Sequence, residues 1–113
     1  MSERIPEFLI MDVLDGINNI LEYTKGFSYD TFTKDSKTVD AVIRNFEVMG
    51  EATNRLPQDF INQHDEIPWN FIVATRNRLI HGYDSVDNRI ILDIIVIHLP
   101  GLKIKLEKLL EKL

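Results

Sequence analysis

Residues 76–83, Arg76-Asn77-Arg78-Leu79-Ile80-His81-Gly82-Tyr83, place two arginines, an amide, an imidazole and a phenol within eight positions. A histidine near neutral pH can take or give a proton. An arginine presents a rigid fork of donors that matches phosphate oxygens. An amide beside it, Asn77, can orient either a phosphate or the imidazole. Together these groups suit metal-free cleavage of RNA, in which the ribose 2′-hydroxyl attacks the adjacent phosphorus, His81 moves a proton and Arg76 stabilises the charge that builds on phosphorus. The substrate brings its own nucleophile, so no serine, cysteine or metal is needed. The same residues admit a plainer reading: His81 as a favourable charge at a helix C-terminus and Arg76 as half of a surface ion pair. From the residues alone both readings stand.

The segment must be positioned by helices. Three- and four-residue apolar spacing recurs along the chain, and no stretch alternates apolar and polar residues as a strand would. A first helix is expected from about Arg4 to Lys25, with Phe8, Leu9, Val13, Ile17, Ile20 and Leu21 on one stripe and Gly26 as its stop. Phe27 to Asp35 reads as a connector. A second helix is expected from Ser36 to Leu56, capped by Asp35 or Ser36, with Val39, Val42, Ile43, Phe46, Met49, Gly50, Thr53 and Leu56 inward. After Pro57 comes a short helical turn over Gln58 to His64. A third helix runs from Pro68 to His81, closed by Gly82, and a fourth starts after Asp87, its N-cap, and runs to the end, where Pro100-Gly101 must kink or break it. The fold class is therefore all-α, a four- to five-helix up-and-down bundle, with residues 1–113 forming a single domain.

On the third helix, with Arg76 set at 0°, Ile80 lies at about 40°, Asn77 at about 100° and His81 at about 140°. Phe71, Ile72, Thr75 and Leu79 take the opposite arc, the natural core face. Trp69, Val73, Ala74 and Ile80 share the polar arc, so the helix is apolar on nearly all sides and wants cover on both. In so small a chain the second cover can be another subunit. The expectation is a homodimer in which two copies of Arg76 and His81 line one cleft.

Composition sets the remaining bounds. The chain has 113 residues, no cysteine and a formal net charge of −5. Disulfides, thiol nucleophiles and cysteine-type zinc sites are excluded, and no cofactor or metal is expected. The acidic balance argues against non-specific coating of nucleic acid, which needs a basic face, although a local basic site remains compatible with it. The N-terminus lacks the pattern of a signal peptide. The longest apolar stretch, Ile90 to Leu99, contains Asp93 and His98 and is too short for a membrane span. A cytoplasmic protein with no membrane partner is expected.

Other polar residues carry less. Glu47 and Glu51, four apart, are expected to pair with arginines of the third helix. His64 falls on a loop, and His98 packs or faces solvent. Trp69 reads as an interface or core anchor, with base stacking as the alternative. Lys103 to Lys112 alternates with glutamate as a solvated face, above an inward row of Leu102, Leu106, Leu109, Leu110 and Leu113.

The string from Arg76 to Tyr83 resembles the Arg-x4-His-x-Tyr motif of HEPN-domain proteins of the HepT kind. Asp40-Ala41-Val42-Ile43-Arg44-Asn45-Phe46 with Gly50-Glu51-Ala52 is similar to that family's second helix, and Ile67-Pro68-Trp69 and Leu99-Pro100-Gly101-Leu102 extend the likeness along nearly the whole chain. The resemblance implies a helical, homodimeric, metal-independent endoribonuclease with the motif in the interface cleft, Arg76 and His81 as the catalytic pair and Asn77 beside them. It further implies the toxin half of a type VII-like toxin–antitoxin pair, acting on transfer or messenger RNA. The partner is then a minimal nucleotidyltransferase of the MntA type, which silences the toxin by attaching AMP to Tyr83; the added bulk and negative charge beside Arg76 would repel RNA. Two other functions remain: a non-catalytic accessory subunit of a nucleotidyltransferase, and an oligomeric scaffold.

Overall fold

The computed structural model describes residues 5–81 and 87–113. Six helices follow in order: α1 (Ile5–Tyr23), α2 (Tyr29–Lys34), α3 (Ser36–Asn54), α4 (Gln58–Gln63), α5 (Trp69–His81) and α6 (Asn88–Lys112). No strand occurs among the described residues, so the all-α expectation holds. The four long helices are those expected, and the described residues hold one helix more than the expected maximum.

Helix α1 buries Leu9, Ile10, Val13, Leu14, Ile17 and Ile20, a face wider than a single stripe because both α3 and α6 pack on it. Phe8, expected on that stripe, is instead 55% exposed. Leu9, Val13, Ile17 and Ile20 are buried as expected, and the inward face widens to take in Ile10 and Leu14. Against α3, Gly16 faces Met49, and Asn19 Nδ2 donates to Asn45 Oδ1 at 3.1 Å. Position advances along α1 as it falls along α3, so the two helices are antiparallel. Gly26, with φ of 83°, turns the chain away after α1 in a backbone conformation that side chains with a Cβ avoid.

The expected connector contains α2. Ser28 caps it: Thr31 N donates to Ser28 Oγ at 3.2 Å, and Ser28 N donates to Thr31 Oγ1 at 2.8 Å, a capping box built with threonine where glutamate is usual. Its anchor is Phe32, fully buried and edge-on to Phe27, with ring centroids 6.4 Å apart. Burying such a ring contributes about 1.5–3 kcal/mol, enough to hold six residues that would not stay helical alone. Tyr29 donates its hydroxyl to Asp93, and Arg89 reaches Asp30 at 3.5 Å, so α2 is tied to the start of α6.

Asp35 caps α3 by accepting from Thr38 N at 3.0 Å, and Asp87 caps α6 by accepting from Arg89 N at 2.8 Å. Helix α6 runs unbroken through Pro100. The proline leaves the Val96 carbonyl without its usual amide donor. Val96 and Pro100 both lie on the exposed side, where water can serve that carbonyl, while Ile95, Leu99 and Leu102 remain buried. Packing of that inner face overrides the local break. Further on, Leu106 and Leu109 are buried, Leu110 is half-buried, and Leu113 is exposed just past the end of the helix. The buried side chains of all the long helices join in one cluster, with Phe32 added from α2 and Leu56 and Ile67 from the connections. No described helix is long and apolar enough to cross a membrane.

Candidate active site

Helix α5 begins at Trp69, which is 5% exposed and donates its indole N–H to the carbonyl of His64 at 2.9 Å. The ring is buried, so Trp69 is a core anchor. From there Ile72, Thr75 and Leu79 turn inward at three- and four-residue spacing, and α5 packs chiefly on α3. Phe71 sits at the border, half-buried, with the ring of His98 4.7 Å away. His98 is thus a packing residue on the surface.

Arg76 follows buried Thr75 and lies over α3 at Gly50. A Cβ built on Gly50 would stand 2.4 Å from Arg76 Cβ and 2.5 Å from Cγ, so only a glycine lets the arginine stem come this close. The guanidinium then emerges at a shallow depth, its side chain 22% exposed. Nη1 donates to Asn77 Oδ1 at 2.9 Å. Nη2 stands 3.9 Å from Glu51 Oε1, an ion pair too long to be a hydrogen bond. Nε is buried and finds no hydrogen-bond partner among the described residues.

Of the expected site residues, the structure joins Arg76 and Asn77 directly. His81 is exposed at the last position of α5. It lies five residues on from Arg76, about 7.5 Å along the axis and about 140° around it. No hydrogen bond links it to Arg76 or Asn77 among the described residues. Within one chain, the two side chains therefore leave the helix in different directions. Gly82, the expected helix stop, and Tyr83, the expected site of AMP attachment, lie outside the described residues.

Of the two glutamates expected to reach arginines of this helix, Glu51 faces Arg76, whereas Glu47 pairs with Arg44 of its own helix at 2.9 Å. The i,i+3 partner was closer at hand than any residue of α5. Gly50 is the residue whose role the sequence did not disclose: it counted only as one small residue of a buried stripe. The visible signal was a glycine in mid-helix, which costs about 1 kcal/mol relative to alanine and so asks for a packing reason.

A groove of about 460 Å³ lies at the start of α5, lined by Ile61, Asp65, Pro68 and Phe71 among others. It ends more than a helical turn before Arg76 and shares no residue with the arginine, amide and histidine set. Among the described residues no group of three histidine or carboxylate side chains is placed to hold a metal ion.

Comparison with known proteins places this arrangement. The model of the ribonuclease HepT-like family matches residues 13–109. A candidate RNase of Methanocaldococcus jannaschii is 38% identical over 101 residues, which cover 89% of this chain and 84% of that protein. A probable ribonuclease HepT of Thermococcus cleftensis is 41% identical over 98 residues, 87% of this chain and 89% of its own length. A candidate RNase of Caldanaerobacter subterraneus is 33% identical over 109 residues, 96% of this chain and 97% of its own. No solved structure matches. The helical order, the arginine seated on α3 and a match spanning almost all of α1 to α6 lead to one assignment: this chain belongs to the HepT-like family of ribonucleases.

Proposed function

We propose that this chain is a metal-independent endoribonuclease that cleaves transfer or messenger RNA by attack of the ribose 2′-hydroxyl, with Arg76, Asn77 and His81 as its working residues. The observation that carries the reading is the Arg76 guanidinium. Its stem is fixed on Gly50, one of its amino groups is oriented by Asn77, and it is exposed just enough to meet a phosphate. A preorganised cation of this kind stabilises developing negative charge without having to reorganise during the reaction.

The step balances with these groups alone. The 2′-oxygen bonds to phosphorus and gives its proton to a neutral His81 imidazole. The bond from phosphorus to the 5′-oxygen breaks, and the departing oxygen takes a proton from an imidazolium. The products are a 2′,3′-cyclic phosphate and a 5′-hydroxyl. The 140° between Arg76 and His81 favours a two-fold dimer, in which two α5 helices face each other and two arginines and two histidines border one cleft. The half-buried Val73 and Ile80 and the exposed Ala74 on the outer arc of α5 fit such a contact.

The same reading extends to control. A ribonuclease of this kind serves as the toxin of a type VII-like pair, and a minimal nucleotidyltransferase silences it by placing AMP on Tyr83. The test is cleavage of a defined RNA in the presence of a chelator, with analysis of the new ends and of assembly size. Cyclic phosphate ends from a dimeric wild type, lost in Arg76→Ala, support the reading. Ends bearing a 5′-phosphate exclude 2′-hydroxyl attack, and a fully active monomer excludes the shared cleft.

A further inference from the structure

Gly50 and Glu51 are consecutive on α3, so the residue that seats the Arg76 stem and the carboxylate that faces its guanidinium share one turn. The three nitrogens of that guanidinium are not equivalent. Nε points into the protein, and Nη1 is engaged by Asn77. Nη2 has only the attraction of Glu51, at 3.9 Å, among the described residues. The carboxylate itself is about half exposed, its side chain at 52%. Any anion that approaches the open edge of Arg76 from solvent therefore competes with Glu51 for the same nitrogen. A phosphodiester has the better claim. It carries the same unit charge and can come to Nη2 at hydrogen-bonding distance, which the carboxylate at 3.9 Å does not.

We propose that Glu51 is a resident anion on Arg76 that an RNA phosphate must displace. It orients the guanidinium while the cleft is empty and weakens every anion that binds there. The RNA part of this inference rests on the ribonuclease reading; the part concerning a bare phosphate does not. Because Glu51 opposes substrate and transition state alike, its removal acts on KM and not on the chemical step.

The experiment uses the full chain labelled with ¹⁵N, as wild type, Glu51→Gln and Glu111→Gln, titrated with inorganic phosphate while the Arg76 Nε–Hε resonance is followed. Glu51 is exposed enough that the amide fits without repacking. Glu111→Gln makes the same change in net charge at the exposed end of α6. Removing one unit charge about 4 Å from the site tightens phosphate about five-fold in Glu51→Gln, with Glu111→Gln close to wild type. Equal phosphate affinity in all three proteins overturns the proposal. In parallel, cleavage of a labelled RNA shows KM lowered in Glu51→Gln with kcat no higher. A reduced kcat at unchanged KM also overturns it, because Glu51 would then act in the transition state or in packing. If phosphate affinities separate as expected while no protein cleaves RNA, the role of Glu51 stands and the ribonuclease reading falls.

Discussion

Arg76 rests on Gly50, with no room between them for a methyl group: a Cβ on the glycine would come within 2.4 Å of Arg76 Cβ and 3.1 Å of its Cδ. The contact involves the stiff base of the arginine, not its mobile end. Helix α3 can meet it only by moving away from α5 or by turning the arginine into another rotamer. The same contact thus sets both the spacing of two core helices and the direction of a guanidinium.

Gly50→Ala sets two opposed effects against each other. Alanine favours a helix over glycine by about 1 kcal/mol. Overpacking at a site this tight costs about 1–3 kcal/mol, and here the neighbour cannot yield. The net outcome is a protein less stable than wild type, read as a lower urea midpoint with unchanged slope, and RNA cleavage reduced through misplacement of Arg76. A more stable variant would show that the helices separate freely.

Gly16→Ala provides the contrast. The added methyl would meet Met49 Cγ at 2.5 Å and its sulfur at 3.1 Å. Methionine has several rotatable bonds and adapts to crowding. The stability loss is smaller than for Gly50→Ala, and cleavage is retained because the added methyl meets Met49 and not Arg76. Thermal melts of the two variants side by side check the order.

Tyr29 gives a pH signature. Its hydrogen bond to Asp93, with lesser contributions from desolvation and from the carboxylate's charge, holds the phenol above its ordinary value of about 10. A raised folded-state value means that the contribution to stability is fully present below the unfolded pKa and is lost as pH rises through the folded one. Tyr29→Phe therefore melts below wild type at pH 7 to 9, and the gap closes above pH 10. A gap independent of pH would mean that the ring, not its hydroxyl, ties α2 to α6.

Pro100→Ala restores an amide donor to the Val96 carbonyl within a helix that is already continuous. Proline in a helix interior is disfavoured by about 3 kcal/mol relative to alanine, offset in part by the entropy it removes from the unfolded chain. A stabilisation of about 2–2.5 kcal/mol follows from that balance. Chemical denaturation measures it, and a loss of stability would point to a packing role for the ring.

Much of this architecture was legible in the sequence. The four long helices announce themselves through apolar period and through Asp35, Gly26 and Asp87 at their ends, since those signals act locally. Helix α2 stayed hidden because six residues carry too little periodicity, and its capping box uses Thr31 instead of an acidic residue. Of the kink or break expected at Pro100, the break did not occur, because the buried face around Leu99 and Leu102 outweighs one missing hydrogen bond. Phe8 was misplaced because three- and four-residue spacing on α1 is consistent with two overlapping stripes, and only packing against α6 selects between them. At the site, residue types and spacing pointed to Arg76, Asn77 and His81, but no local pattern could show that Gly50, 26 positions earlier, lies beneath the arginine. That relation belongs to the packing of α3 on α5.

The most direct test of the central claim is side-by-side incubation of wild type and His81→Ala with end-labelled transfer and messenger RNA in a chelating buffer, after intact mass has shown both proteins free of any adduct on Tyr83. A positioned acid–base group contributes about 10²–10⁴-fold to rate, so the account predicts cleavage by wild type and a loss of that order in a variant that stays folded and keeps its assembly state. Equal cleavage by the two proteins, or none by unmodified wild type on either RNA, would contradict it.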